Sequence, residues 1–152
     1  MANNKKPYPR GLRNCNPGNI RNSRTTYKGE VVPSQDTAFK QFRSMAYGYR
    51  AMFVLIRYYY KRLGLKTIRQ IINRYAPPIE NNTSSYIQRV CEGTLYSPDM
   101  EIPLGDRDFM VLMVASMSKV ENGVPPMPGD TLVPPASRRL LLARGTNEGN
   151  TI

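Results

Sequence analysis

With no histidine among its 152 residues, this chain has few ways to move a proton. The Ser/His and Cys/His catalytic arrangements and the common zinc sites are excluded. No metal and no other cofactor is expected, and catalysis must rest on carboxylates, Tyr, Lys or Arg. The 11 acidic residues make a short list, and Glu121 heads it. The run from Phe109 to Met117 is apolar almost all the way round, closes on Glu121, and is stopped by Gly123 and Pro125. A helix apolar on every side belongs in a core. Helical spacing puts Met110, Val114 and Met117 on the face that carries Glu121. A carboxyl there is partly desolvated and sits at the negative end of the helix dipole, and both effects raise its pKa. A raised carboxyl at the rim of a core is suited to general acid work.

The elements that must hold this residue can be read along the chain. Residues 1–9, rich in Asn, Lys and Pro, read as a disordered arm. The stretch Thr25–Tyr27, Lys28–Gly29, Glu30–Val32 reads as a small hairpin around a Gly turn. From Met45 the texture becomes helical, with Tyr49, Met52, Phe53, Ile56, Tyr59, Tyr60 and Leu63 in phase and Gly64 as the stop. Thr67 caps a second helix carrying Ile68, Ile71 and Ile72, which Pro77–Pro78 ends. Asn82 or Thr83 caps a third, with Tyr86, Ile87 and Val90 inward, and Asp106 caps the last. Residues 136–144 form a short basic amphipathic segment, and 145–152 read as a flexible tail. The expected fold is mainly α with a small β hairpin. It is one domain over residues 10–144, with a buried central helix near its C-terminal end.

Formal net charge is +11, which points to an anionic partner: nucleic acid, anionic glycan or acidic membrane. No run of about 18 apolar residues is present, so no membrane span is expected. The opening ten residues lack an apolar stretch after their charges and do not read as a signal peptide. Cys15 and Cys91 read as reduced thiols rather than a pair. Asn14, Asn16 and Asn19 surround Pro17–Gly18 and read as a turn that also offers amides to a ligand. Glu80 precedes a helix start, where the dipole favours its charge, and reads as a brace there.

The segment Arg10-Gly-Leu-Arg-Asn-Cys-Asn-Pro-Gly-Asn-Ile-Arg21 resembles the opening of a phage-encoded family of lytic virion proteins, whose pattern is close to R-G-x-R-N-x-N-P-G-N-I-R. The likeness continues through Phe39–Ser44, Gly48–Ala51, Thr67–Ile68, Tyr75–Ile87 and Lys119–Gly123, and so covers residues 10–123. It implies a lysozyme-like domain that cleaves peptidoglycan glycan strands. Localisation would be the phage particle, beside other virion proteins, or the host cytoplasm before release to the periplasm. A second likeness is to flagellar and autolysin glucosaminidases. There a helix ending in Glu precedes an Asn-x-x-Gly-Ile-Lys turn, a hairpin and an aromatic segment. Here the turn, hairpin region and Phe39–Ser44 keep that order, but the Glu helix stands at the back. The resemblance therefore implies a circular permutation, which chains with neighbouring termini tolerate.

Under that resemblance the products of a muramidase, a glucosaminidase or a lytic transglycosylase are all open. Each needs a protonated acid, and each must stabilise positive charge at the anomeric carbon by a second carboxylate, an activated water or the substrate's acetamido group. Glu121 is the acid. Glu30, in the expected hairpin, is the first candidate for the second catalytic carboxylate, and Asp36 the next. Glu80, Asn81, Tyr86 and Asn19 are expected to bind substrate, Tyr86 by stacking on a sugar ring. The competing reading is a basic binding or structural virion module without catalysis. In it Arg43, Arg50, Arg57, Lys61, Arg62 and Lys66 would track phosphates, and tyrosines would stack bases.

Overall fold

The computed structural model describes residues 8–79 and 81–123. The basic segment at 136–144, the tail at 145–152, most of the N-terminal arm and Glu80 lie outside them. Among the described residues five helices and one two-stranded ribbon follow in the order α1 (Arg10–Arg13), β1 (Glu30–Val31), β2 (Gln41–Phe42), α2 (Met45–Leu63), α3 (Ile68–Tyr75), α4 (Thr83–Thr94) and α5 (Arg107–Asn122). The fold is mainly α with a small antiparallel sheet, and no described helix is long and apolar enough to cross a membrane.

The helix boundaries follow from local chemistry. Each of α2, α3, α4 and α5 starts at a side-chain cap: Ser44, Thr67, Asn82 and Asp106 accept from the amides of Tyr47, Gln70, Ser85 and Phe109. Thr67 and Gln70 complete a reciprocal capping box. Gly64 and Gly123 end α2 and α5 in the left-handed region, at φ 69° and 73°, where a residue without Cβ fits best.

α5 is central. Six consecutive residues, Phe109 to Val114, are buried, and so are Met117 and Ser118. No solvent stripe remains along that stretch, which is the signature of a helix packed on several sides. α4 makes the most extensive packing against it, with α1 and α2 on other faces. Gly93 of α4 permits that approach, since a Cβ there would collide with Ser116.

The hairpin differs from expectation. The strands pair Glu30 with Phe42 and Val31 with Gln41, so Thr25–Tyr27 is not a strand and the partner of Glu30–Val31 lies ten residues downstream. A buried ion pair sets this register. Lys40 Nζ lies 3.0 Å from the Glu30 carboxylate and also donates to the carbonyls of Thr25 and Ser23. Both side chains are almost fully buried, at 1% and 6% exposure. A buried ammonium demands such a full set of acceptors, and this one collects them from the whole 23–30 loop. Cys15 and Cys91 are half-buried and are not joined in a disulfide.

Gly48 of α2 lies against the backbone of the N-terminal loop, where a Cβ would strike the Cys15 carbonyl and the Pro17 ring. Gly48→Ala should cost about 1–3 kcal/mol in denaturant unfolding, the scale of overpacking against atoms that cannot retreat. Gly105→Ala, with nothing within 4 Å of its Cβ position, should stay within about 0.5 kcal/mol of the parent.

Candidate active site

The site begins with a turn. Asn16, Pro17, Gly18 and Asn19 close on a hydrogen bond from the Asn19 amide to the Asn16 carbonyl, 3.0 Å. Pro at the second position presets that bend. The Asn16 side chain is fully buried. Its Oδ1 accepts from the Ile20 amide, and its Nδ2 donates to the carbonyls of Ile20 and Lys40, all at 2.9 Å. The turn is then held from two helices. Asn122, at the end of α5, donates to the Pro17 carbonyl at 2.8 Å. The Tyr75 hydroxyl of α3 donates to the Gly18 carbonyl. Asn19 ends in the left-handed region at φ 49°, which Asn tolerates better than most residues.

That geometry delivers the Asn19 amide to Glu121. Asn19 Nδ2 donates to the Glu121 carboxyl at 3.2 Å and approaches its backbone carbonyl at 3.4 Å. Gly11 of α1 closes the back of the junction. A Cβ there would stand 2.5 Å from Asn122 Oδ1 and 2.6 Å from Asn19 Oδ1.

Burial pushes the Glu121 carboxyl above the usual glutamate range, while the Asn19 amide, the Tyr86 hydroxyl and the positive charge of Arg21 pull it back down. Burial prevails, and the proton is held more tightly than on an ordinary Glu. The same carboxylate acts on two tyrosines. Tyr75 and Tyr86 are pushed well up, first by burial and next by the negative charge of Glu121. The Tyr86 hydroxyl lies beside the carboxyl and favours its charged form as a donor.

In front of Glu121 opens a pocket of about 440 Å3. Ser85, Tyr86 and Arg89 of α4, Asn81 and Asn82 just before it, and Val120 of α5 complete its wall. Apart from Val120 and the Tyr86 ring, these side chains are hydrogen-bonding groups. An acid that holds its proton, set in a polar recess, can protonate an ether or glycosidic oxygen bound there.

The structure distributes the expected site residues unevenly. Glu121, Tyr86, Asn81 and Asn19 come together; Glu30 does not join them. Glu30 is spent on Lys40 and on the Tyr27 amide at 3.0 Å, which makes it a brace of the hairpin. Asp36 is held by Arg10 in a two-point pair at 2.6 Å and by Asn14 at 3.0 Å, and the Arg10 guanidinium holds its carboxyl far below the usual range. Glu80 is outside the described residues. Two roles also change. The Tyr86 side chain is buried, 4% exposed, and leaves no ring face open for stacking on a sugar. Asn19 orients the acid rather than meeting a ligand first. Sequence reasoning missed Asn122, Tyr75 and Arg89. Asn122 stands in the Val-Glu-Asn-Gly motif, and Arg89 follows Asn82, Ser85 and Tyr86 on one helical face.

No family model matches this chain. Over 126 residues it is 33% identical to Protein P5 of Pseudoalteromonas phage PM2, in an alignment covering 81% of this chain and 77% of that protein.

Because Lys40 is buried, removing its counter-charge should be felt as lost stability. Glu30→Gln should lower unfolding free energy by about 3 kcal/mol, the scale of an orphaned buried charge. Replacing both partners, Glu30→Gln with Lys40→Met, should recover part of that loss. Equal stability of Glu30→Gln and parent in a denaturant titration would deny the pair its role.

Proposed function

The chain belongs to the family of Protein P5 of Pseudoalteromonas phage PM2, and from that premise we propose that it is a peptidoglycan-cleaving glycosidase with a lysozyme-like domain. Glu121 is its general acid. The observation that carries this reading is a half-buried carboxyl of raised pKa at a polar pocket, anchored by Asn19. Membership of a phage protein's family supports a place in the phage particle.

The reaction runs with one protein carboxylate. Glu121 donates its proton to the glycosidic oxygen as the bond to the anomeric carbon breaks. The positive charge is met by the substrate itself, through its acetamido oxygen or a sugar hydroxyl, since Glu30 and Asp36 are held by Lys40 and Arg10. Glu121, now ionised, takes a proton from the incoming hydroxyl or water and is reset. The Tyr86 hydroxyl and the Asn19 amide stabilise the carboxylate in that interval.

The spatial order of the site also supports the permuted likeness to glucosaminidases. The helix bearing Glu121 meets the Asn16–Arg21 turn directly, although Asn19 and Glu121 stand 102 positions apart. α1 lies against α5, which brings the start of the domain to the end of the acid's helix.

A binding module is the second reading. Its specific support is the exposed row Arg50, Arg57, Tyr58, Lys61 and Arg62 on α2. On the glycosidase reading the same row draws the protein to an anionic wall, and the attraction weakens with salt. Salt-sensitive DNA binding without any cleavage of sacculi would install the module instead.

Glu121→Gln keeps the shape and removes the transferable proton. It should lower product release from purified sacculi by at least about a hundredfold. Glu30→Gln, corrected for its folded fraction, should keep most of its activity. Activity should fall as pH rises through the raised pKa of Glu121, above the ordinary value of about 4.3. Stability follows the same sign. The folded state prefers the protonated acid, so its full stability is present below about pH 4.3 and declines as pH rises through the folded pKa. Glu121→Gln should therefore melt no lower than the parent at neutral pH, and the difference should vanish in acid. A well-folded Glu121→Gln protein with full activity would refute the assignment.

A further inference from the structure

From Thr37 to Ile79 the chain runs without a single Asp or Glu, and it brings Arg50, Arg57, Lys61, Arg62, Lys66 and Arg74 to the surface. α2 and α3 are both built from that stretch. Beside the junction between them lies an open groove of about 570 Å3, which shares no lining residue with the pocket at Glu121. Leu63 and Leu65, on either side of the Gly64 that ends α2, give the groove its apolar side chains. Leu63 is 40% exposed, while Leu65 packs partly on the core. The polar side chains of the groove already have partners. Gln70 completes the capping box with Thr67, and Asn73 donates to the Arg69 carbonyl. Arg69 makes a two-point pair with Asp99, so its charge is matched. Arg74 donates to the Tyr59 hydroxyl, a neutral partner, and among the described residues no carboxylate pairs with it. What the groove leaves unmatched is therefore apolar surface inside a positive field.

We propose that this groove docks an acidic peptide segment of a partner protein, with a large apolar side chain seated on Leu63 and Leu65 and carboxylates facing the cations of α2 and α3. Charge decides among the occupants. A second copy would bring the same positive face. The segment 124–152 carries Arg138, Arg139 and Arg144 against Asp130 and Glu148, again the wrong sign. A phosphate backbone would meet the cations but leave the leucines uncovered. A short amphipathic segment satisfies both demands, as in other grooves that take an apolar face edged with charge. The apolar contact holds the segment, and the field selects its sign and speeds its arrival. Docking there needs no glycosidase activity.

The test lets the protein choose its ligand. A random peptide library displayed on yeast is sorted for binding to the labelled full chain, with unlabelled Leu63→Ser in excess as competitor. The recovered peptides are then synthesised and titrated. They should carry net negative charge and at least one Leu, Ile, Met, Phe or Trp. Their affinity should fall as salt rises. Leu63→Ser should weaken them by at least about tenfold through the lost anchor, and Asn73→Glu by as much through repulsion. Asn73→Gln should bind within about twofold of the parent, and so should Glu121→Gln. Residues 63 and 73 are exposed, so these variants should melt with the parent. Recovery of neutral or basic peptides, no peptide that prefers the parent to Leu63→Ser, or undiminished binding to Asn73→Glu overturns the proposal. Binding of duplex DNA or of phosphatidylglycerol vesicles that is lost in Leu63→Ser, with no acidic peptide recovered, gives the groove to another partner and overturns it equally.

Discussion

Everything around the acid depends on a joint between a tight turn and the last turn of a helix. The Pro17 and Gly18 carbonyls accept from Asn122 and Tyr75, and the turn returns one amide, from Asn19, to Glu121. Each partner is itself constrained. Asn16 spends three hydrogen bonds on keeping the turn against the hairpin. α5 cannot slide, because it is buried on every side over Phe109–Val114. A hydrogen bond of this kind contributes only about 1 kcal/mol net, but here its value is geometric. It sets where a carboxyl oxygen stands relative to a pocket, and small misplacement of a catalytic group is expensive in rate.

The acid is held in tension. Burial favours its neutral form, and two donors with one guanidinium favour its charged form. A carboxyl poised this way can give up a proton and take it back. Elsewhere the chain disposes of its carboxylates. Glu30 neutralises a buried Lys, and Asp36 ties α1 to the loop before β2 through Arg10 and Asn14. Those pairs stiffen the two segments that flank the turn, so the same charges that leave the site uncontested also fix its walls.

What can be read from the chain is local. Thr67 and Asp106 announce helix starts because a cap depends on residues three positions away, the third start is narrowed to Asn82 or Thr83 and falls at Asn82, and Gly64 and Gly123 announce the stops. Glu121 is legible because an apolar run leading to a carboxyl has one face to share with it. The hairpin lies elsewhere than its pattern suggests because its two-residue strands carry no alternation, and its register is set by Lys40 in the interior. Nothing in the sequence distinguishes that Lys from one in water. Spacing puts Tyr86 inward, and the packing of α4 on α5 sets its hydroxyl beside Glu121. Arg89 carries no signal until the phase of α4 against the acid is known.

Pro17 and Asn122 are joined across 105 positions, and that separation has a kinetic meaning. Contacts so remote in sequence are costly in loop-closure entropy, and they form after helices whose partners are near. A chain emerging from the ribosome carries the turn, the hairpin segments and α2 to α4 before any of α5 has been made. No N-terminal fragment that stops short of α5 holds the acid. α5 both fills the centre of the core and carries Glu121, and one docking event accomplishes both.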